Sequence, residues 1–478
     1  MRYVLALDLG TGSLKAALYD ETMSLLAQAS APYPVEAPRP GWAETDPQTW
    51  WDAAARATRQ LFRDTPADTA RHVAAVGFSG QMHGVVLCDG AGQPLRPALL
   101  WADRRADAQL GAYRGLEPSQ KARLANPLVA GMAGPLLLWL REHEAEHYHQ
   151  ARHALQPKDW LRLQLTGLAY SEPSDASGTL LYDLYRDAWD EDVIAALQLR
   201  RELLPDLIDT AAVAGELSTA AAEHLGLPSG IPVVAGAADT AAAALGSGVT
   251  EPPTAQLTTG TGAQLIRALA EPQAAPERGL HLYRAALPER YYTMAAMQNA
   301  GLALEWVRGC FGLDWEEFYR LAEDVSAGAD GVTFLPHLSG ERTPHLNPAA
   351  RGAWFGLSLG SSPSHMVRAA LEGVAFAVRE GAEAIEGLES LSNLRLAGGG
   401  STYPLWQQLL SDVLHKPLHV TSVANASARG AALLALRGLG VKDEVKQPEV
   451  TERLEPTPSP ALDDAFERFR DLYRRLYR

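Results

Sequence analysis

Cysteine is scarce in this chain of 478 residues, which contains only Cys88 and Cys310. Two thiols supply neither a disulfide framework nor a zinc site built on cysteines, and they suit a reducing compartment. Long apolar runs are also missing, because the stretch VAGMAGPLLLWL, which begins at Val129, is interrupted by glycine and proline. It is shorter than the roughly 18 residues of a membrane span, and we predict a buried helix there. The first residues contain no basic segment followed by an apolar one, so we expect a cytoplasmic protein.

Positive charge is in deficit, with 42 Lys and Arg against 57 Asp and Glu and a formal net charge of −15. This balance argues against nucleic acid or an anionic membrane as the main partner. It is compatible with small ligands, including a phosphate that binds in a local basic pocket. The length predicts two or three domains, and 47% hydrophobic with 21% charged residues is typical of a globular protein.

Strand-like and helix-like segments alternate along the chain, which predicts an α/β architecture. The opening stretch LALDLGTGSLKAALYD indicates a hairpin, in which an apolar strand ending near Asp8 is followed by a Gly-Thr-Gly corner and a returning strand. We expect Gly10 and Gly12 to tolerate a positive φ, and without a Cβ they let a ligand approach the N–H groups of Thr11, Gly12 and Ser13. Such a corner suits phosphate, and an ordinary tight turn is the alternative.

The same arrangement returns in AQLTTGTGAQLIRALAE, where the corner is Gly260, Thr261 and Gly262. Two matching hairpins indicate an internal duplication, with one ligand held between the two corners. Neither corner belongs to a Walker or Rossmann motif, because the Walker sequence is absent and each corner leads into a strand rather than a helix. Opposed hairpins in two halves indicate instead the actin-like ATPase arrangement.

No low-complexity linker separates the two halves. We place the boundary near Ala243, which gives an N-terminal domain at 1–243 and a C-terminal domain at 244–478.

Asp239 is the main catalytic candidate. It follows the buried strand of GIPVVAGAA and precedes an alanine-rich helix, where a carboxylate can take the proton of a hydroxyl that attacks a γ-phosphate. The alternative is an N-cap, a role for which Asp is a preferred residue. Asp8 has a similar ambiguity, since it can hold a water on Mg²⁺ or brace its own turn.

Two loops carry candidates for sugar recognition. The sequence QMHG places Met82 and His83 between strands, and LLWADRR offers Trp101 as an apolar wall and Asp103 as an acceptor for hydroxyls. The alternatives are a structural histidine, a core tryptophan and a salt bridge of Asp103.

A series of stretches in a fixed order resembles the FGGY carbohydrate kinases over nearly the whole chain. These stretches are LDLGTGSLKAALYD, GWAETDPQTWW, SGQMHG, LQPKDWLRLQLTG, SDASGTLLYD, TTGTG, FLPHLSGERTPHLNPAARGAWFGL and AGGGSTYPLWQQLLSDV. The resemblance implies an α/β fold of two actin-like (ribonuclease H-like) domains with an ATP and sugar cleft between them. It is greatest with the members that act on D-xylulose, and it implies Mg²⁺-dependent transfer of the ATP γ-phosphate to that sugar.

Carried over position by position, the resemblance implies that Met82 and His83 contact the sugar and that Asp239 is the general base. Asp8 falls at the acidic position beside the phosphates and is the expected metal-binding residue. The first domain is then the sugar-binding one and the second binds the nucleotide. The residues expected to contact the nucleotide are Thr11, Gly12, Ser13, Lys15, Gly260, Thr261, Gly262, Gly399 and Gly400.

One departure from the family pattern concerns the sugar. Members that act on D-xylulose usually read Trp-Asn-Asp where this chain has Trp101, Ala102 and Asp103, so another ketopentose such as ribulose is the alternative substrate. A non-kinase actin-like ATPase is a second alternative, which the QMHG loop and Asp239 disfavour. The resemblance is compatible with a homodimer.

Overall fold

The computed structural model describes residues 2–400, 402–421, 423, 425–441 and 448–477. The strands of the first half are β1 (Tyr3–Leu9), β2 (Ser13–Asp20), β3 (Leu25–Pro32), β4 (Glu44–Thr45), β5 (Val73–Gly80), β6 (Val86–Cys88), β7 (Ala98–Leu99), β8 (His153–Leu155), β9 (Tyr170–Ser171), β10 (Tyr182–Asp183), β11 (Ala188–Trp189), β12 (Asp206–Leu207), β13 (Val213–Glu216), β14 (Pro232–Val234) and β15 (Ala237–Ala238). Those of the second half are β16 (Ala255–Thr259), β17 (Ala263–Leu269), β18 (His281–Arg284), β19 (Tyr291–Met297), β20 (Thr333–Leu335), β21 (Ala353–Phe355), β22 (Leu394–Ala397), β23 (Leu418–Thr421) and β24 (Val450–Leu454).

The helices alternate with these strands. They are α1 (Pro47–Arg63), α2 (Leu110–Arg114), α3 (Pro118–Leu124), α4 (Ala133–His143), α5 (Ala145–Gln150), α6 (Pro157–Thr166), α7 (Pro173–Ala176), α8 (Glu191–Ala196), α9 (Thr219–Leu225), α10 (Asp239–Gly246), α11 (Gly301–Phe311), α12 (Trp315–Glu323), α13 (Pro363–Ala384), α14 (Pro404–Leu414), α15 (Ala426–Gly438) and α16 (Pro460–Tyr477).

Each half is built on a mixed sheet, which has seven strands among the described residues. The first sheet has the order β13-β14-β5-β1-β2-β3, with β15 also paired to β5, and the second has the order β18-β19-β17-β16-β22-β23-β24. In each sheet a hairpin, β1–β2 or β16–β17, continues into a parallel neighbour, β5 or β22. The repeated order confirms the predicted duplication and the two-domain α/β fold.

The apolar stretch that begins at Val129 leads into α4, whose first eight residues are buried, as predicted. In the parts of the chain that the structure describes, no helix is both long enough and apolar enough to cross a bilayer.

Helix α15 belongs to the second half but packs on the first sheet and across α10. A Cβ on Gly430 would lie 1.9 Å from the Ala242 carbonyl oxygen, and one on Gly246 would lie 2.0 Å from that of Ala426. Backbones that approach this closely require glycine and alanine, which explains the alanine-rich sequence of α10. The crossing joins the two halves along the helix that begins with Asp239.

Candidate active site

The first Gly-Thr-Gly corner presents backbone donors to solvent. A hydrogen bond of 3.0 Å from the Gly10 N–H to the Ser13 carbonyl closes it. Among the described residues, the N–H groups of Thr11 and Gly12 find no acceptor, so both remain free for an anion. Neither Gly10 nor Gly12 uses the positive φ that glycine tolerates. No atom lies within 4 Å of a Cβ built on Gly12, so the backbone there is open to an approaching ligand.

The second corner also presents free backbone donors, but its turn is one residue shorter, with three residues between the paired Thr259 and Ala263 against four between Leu9 and Leu14. The Gly260 N–H donates to the Gly262 carbonyl over 2.9 Å, and within the described ranges the N–H groups of Thr261 and Gly262 donate no hydrogen bond. The Gly301 N–H, at the start of α11, donates to the Gly260 carbonyl over 3.0 Å. A Cβ on Gly301 would lie 2.4 Å from that oxygen, so the contact depends on glycine.

The glycine turn after β22 lies against the end of β16. Gly398 has a φ of +104°, and a Cβ there would lie 2.2 Å from the Thr259 carbonyl oxygen. The Gly400 N–H donates to the same oxygen over 3.1 Å. Gly399, by contrast, has no atom within 4 Å of a built Cβ and presents bare backbone. The structure therefore brings Gly399 and Gly400, which are predicted to contact the nucleotide, to the strand that leads into the second corner.

Asp8 lies at the end of β1, where the register places it between Ser79 of β5 and Lys15 of β2. The Ser79 hydroxyl donates to Oδ1 of Asp8 over 2.5 Å. Burial raises the pKa of the Asp8 carboxyl, although the Ser79 hydrogen bond and the Lys15 charge lower it. Lys15 itself is exposed beside the first corner.

The described residues contain no group of three or more His, Cys, Asp or Glu that could hold a metal ion. A lone carboxylate such as Asp8, with one oxygen engaged by Ser79, fits Mg²⁺, which binds through one or two carboxylates and takes its other ligands from substrate phosphates and water.

Asp239 is the first residue of α10, and Ala238 occupies the N-cap position. The N-cap alternative for Asp239 is therefore wrong. Oδ1 of Asp239 accepts from the N–H and the hydroxyl of Thr240 over 2.6 and 3.1 Å, and no hydrogen bond within the described chain engages Oδ2. Burial and the nearby charge of Asp8 raise the pKa of Asp239 to about 6. A carboxylate of this pKa can accept a proton near neutral pH.

The QMHG loop holds His83 in a defined tautomer. Its Nδ1 lies 2.7 Å from the Gly178 carbonyl oxygen, and burial lowers the pKa of the ring to about 4. The neutral ring must carry its proton on Nδ1 to donate to that carbonyl, which leaves Nε2 as an acceptor. A Cβ on Gly178 would lie within 3.0 Å of His83 and Met82, so the glycine of SDASG is required beside this loop.

Strand β18, from the second half of the chain, places aromatic side chains beside His83. We did not predict this contact. The Tyr283 ring lies 5.9 Å from that of His83, centroid to centroid, and its hydroxyl lies 2.8 Å from Nδ1 of His281. Asn126 of the first half fixes this strand by accepting from the Leu282 N–H over 3.0 Å and donating to its carbonyl over 2.8 Å. The sequence HLYR has no feature that marks it as part of a site.

Trp101 and Asp103 have different environments. Nε1 of Trp101 donates to the Thr11 hydroxyl over 2.9 Å, so this ring adjoins the first corner. Asp103 is fully buried. Its Oδ2 accepts from the Ala43 N–H over 2.7 Å and from the Arg105 guanidinium over 2.8 Å, and its Oδ1 accepts from the same guanidinium over 2.9 Å. The prediction that Asp103 accepts hydrogen bonds from sugar hydroxyls is wrong, because these buried donors use both oxygens.

A fully buried ionic cluster lies beneath the QMHG loop. The Lys158 ammonium contacts the carboxylates of Asp159, Glu172 and Asp175 at 2.7, 3.1 and 2.9 Å, and Arg162 contacts Asp159 at 2.8 Å. Burial raises the pKa of Asp175 well above its usual value and favours the protonated acid. Two cations then face two carboxylates, a balance that makes their burial tolerable.

This cluster supports both the sugar loop and the strand that carries Asp239. The Ala238 N–H donates to the Ser174 hydroxyl over 3.0 Å, and Ser174 in turn donates to Glu172 over 2.9 Å. On the other side, Gln156 donates to the Asp175 carbonyl over 2.7 Å and accepts from the His83 N–H over 3.0 Å. The stretches PKDW and SDASG hold the site in place through these contacts.

Comparison with known proteins gives the context for this arrangement. Residues 3–246 match the model of the N-terminal domain, and residues 255–439 that of the C-terminal domain, of the FGGY family of carbohydrate kinases. The chain is 33% identical to the xylulose kinase of Escherichia coli (strain K12) over 479 residues, covering 99% of this chain and 98% of the relative. It is 34% identical to a glycerol kinase of Alkalilimnicola ehrlichii over 460 residues, covering 92% and 91% of the two chains.

A crystal structure of a xyloylose kinase from Brucella ovis superposes with a TM-score of 0.92 at 34% identity, covering 100% of this chain and 99% of that one. The repeated sheets, the two glycine corners and the carboxylate at the start of α10 thus occur in a chain that matches both family domains in order. The chain belongs to the FGGY family of carbohydrate kinases.

Proposed function

We propose that this carbohydrate kinase transfers the γ-phosphoryl group of ATP to D-xylulose and forms D-xylulose 5-phosphate. The observation that carries the proposal is the Asp239 carboxylate, whose pKa is raised to about 6, in the same site as the neutral imidazole of His83. The near full-length similarity to xylulose kinases supports the choice of sugar.

The chemistry assigned to Asp239 is general base catalysis. Thr240 holds Oδ1, so Oδ2 accepts the proton of the sugar hydroxyl as its oxygen attacks the γ-phosphorus. The positive end of α10 stabilises the carboxylate before the transfer. The two corners supply N–H donors to the triphosphate, so that positioning and electrostatics account for most of the rate acceleration.

We propose Asp8 as the residue that holds Mg²⁺, and Lys15 as a cation beside the phosphates. Mg²⁺ supplies charge neutralisation to the triphosphate when it is bound. Ser79 fixes one oxygen of Asp8, so the carboxylate is oriented before any ligand arrives.

The sugar loop distinguishes D-xylulose from glycerol. Glycerol kinases of this family carry an Arg-Glu pair where this chain has Met82 and His83, which favours a ketopentose. Nε2 of His83 accepts from a sugar hydroxyl, and Met82 lies against the carbon skeleton. Ala102, in place of the usual Asn, makes ribulose the second candidate substrate.

We assign the sugar to the N-terminal domain, residues 1–243, and the nucleotide to the C-terminal domain, residues 244–478, with closure of the cleft between them. We also propose a cytoplasmic location and a homodimer. Two free cysteines support the first. The exposed side chains of Trp306 and Phe355, 47% and 61% accessible, are apolar surface that a second copy can cover.

The test is a comparison of ADP release with D-xylulose, D-ribulose, glycerol and no sugar at saturating MgATP. We expect the highest kcat/KM with D-xylulose and little ADP release without sugar. If kcat/KM is higher with D-ribulose or glycerol, that compound is the substrate instead of D-xylulose. Equal rates of ADP release with and without sugar would identify an ATPase.

A further inference from the structure

Arg342 lies in a loop of the second half whose backbone is held on both sides. The Glu341 N–H and carbonyl pair with those of Asn347, each over 2.9 Å. On the other side, the Thr343 N–H donates to the Ala296 carbonyl over 3.1 Å, and the Ala296 N–H donates to the Thr343 hydroxyl over 3.0 Å. These bonds fix the point from which the Arg342 side chain extends.

The guanidinium of Arg342 lies in the cleft between the halves, with Cζ 5.5 Å from the centroid of the Trp101 ring. It makes no hydrogen bond and no ion pair with any residue that the structure describes. The adjacent Glu341 carboxylate is already engaged by the N–H groups of Gln298 and Arg342 at 2.8 and 2.9 Å. Burial lowers the pKa of Arg342, which shows that little compensates the loss of water around its charge.

Arg342 is partly exposed, so water meets its guanidinium donors in the free protein. A ligand that enters the cleft displaces this water and must supply hydrogen-bond acceptors in its place. The groups that feel the charge of Arg342 are His83, His281 and Tyr283, whose pKa values it lowers. Burial and Asp8 dominate the pKa of Asp239 instead. The Arg342 side chain therefore lies near Trp101, and its charge acts on the side chains around His83.

We propose that Arg342 is a sugar-binding residue that the second half contributes to the active site. Its guanidinium donates hydrogen bonds to hydroxyl or carbonyl oxygens of the ketopentose, at the end away from the hydroxyl that Asp239 deprotonates. The proposal rests on the proposed function, because a ketopentose presents oxygens along its whole length. The sugar is then held from both halves, by His83 on one side and Arg342 on the other.

The test replaces Arg342 by methionine, which keeps an unbranched apolar side chain and removes the donors. Binding of D-xylulose without nucleotide is measured by calorimetry, together with steady-state kinetics and melting of the free protein. We expect the Kd and KM for D-xylulose to rise about 10- to 150-fold, the usual effect of hydrogen bonds to a charged group. The kcat and the KM for ATP stay within about threefold, as expected when uniform binding is lost. Melting of the free protein is not lowered, because the lost cation had no acceptor.

The matched control is Arg351→Met. Arg351 is exposed, and among the described residues its guanidinium donates only to the nearby Pro348 and Ala350 carbonyls, so this change leaves sugar affinity unchanged. A fall in kcat at unchanged sugar affinity in Arg342→Met would place Arg342 at the phosphoryl group and overturn the proposal. Unchanged affinity and kinetics, or a free protein that melts several degrees lower, would also overturn it. If the wild type binds D-xylulose without phosphorylating it, only the proposed function fails; if it binds no ketopentose, both fail.

Discussion

Replacing Asp239 by asparagine separates the chemistry of this side chain from its structural contacts. Asn keeps an oxygen that can accept from Thr240, but it cannot take a proton at neutral pH. We expect kcat to fall by about 10²- to 10⁴-fold, the usual contribution of a positioned acid or base. The affinity for ATP should stay near that of the wild type, because the two corners are untouched.

The same variant should be more stable than the wild type above pH 6. The pKa of Asp239 is about 6 in the folded protein against an ordinary value of 3.8, a difference of about 3 kcal/mol. Since the folded pKa is the higher one, the stabilisation by the bound proton is complete below about pH 4 and is lost as the pH rises through 6. Asn does not titrate and escapes that loss. We therefore expect the variant to be more stable than the wild type by about 3 kcal/mol at pH 7.

The assay combines ADP release at saturating ATP and D-xylulose with denaturant unfolding of both proteins from pH 4 to pH 8. The control is Asp314→Asn, an exposed N-cap at the start of α12 that should leave kcat unchanged, because Asn caps a helix about as well as Asp. An Asp239→Asn enzyme with a kcat within threefold of the wild type would refute the assignment as base. A variant that is inactive and also less stable at pH 7 would show that the carboxylate acts structurally.

Three further results are expected. His83→Ala should raise the KM for D-xylulose at least tenfold with little change in the KM for ATP, because the lost acceptor contacts only sugar; equal effects on both substrates in steady-state kinetics would make His83 structural. Asp8→Asn should move the acid limb of the kcat/KM profile below pH 6, since the Asp8 charge helps to raise the pKa of Asp239, and an unmoved limb in pH-rate measurements would contradict that coupling. Small-angle scattering should show compaction with sugar and a non-hydrolysable nucleotide together, and an unchanged radius of gyration would contradict closure by a hinge near residue 243.

The parts of the fold that were predictable are encoded locally. Each Gly-Thr-Gly corner lies between two apolar strands, so the hairpins and their duplication can be read from short stretches. The strand, glycine turn and helix around Gly399 have the same property, and so does the buried helix α4. Local periodicity is enough to predict these elements because the pattern of apolar and glycine residues that defines each one lies within a short stretch of chain.

The remaining features depend on contacts between distant residues. Tyr283 reaches the sugar loop from a strand, β18, that Asn126 holds from 156 positions away. The sequence around Asp103 does not show that its carboxylate is already engaged, because the Ala43 N–H that donates to it lies 60 positions away. The N-cap of α10 is Ala238, one residue before Asp239. Helix boundaries predicted from sequence are not accurate to one residue, so the sequence could not exclude a capping role for Asp239.

Phosphorus NMR of the complete reaction tests the central claim most directly. The wild type is mixed with MgATP and D-xylulose, and the products are followed to the end of the reaction. We predict one new phosphomonoester resonance that grows in equal amount with ADP, with no inorganic phosphate. Inorganic phosphate in place of the phosphomonoester would contradict the claim that this site transfers the phosphoryl group to a sugar hydroxyl.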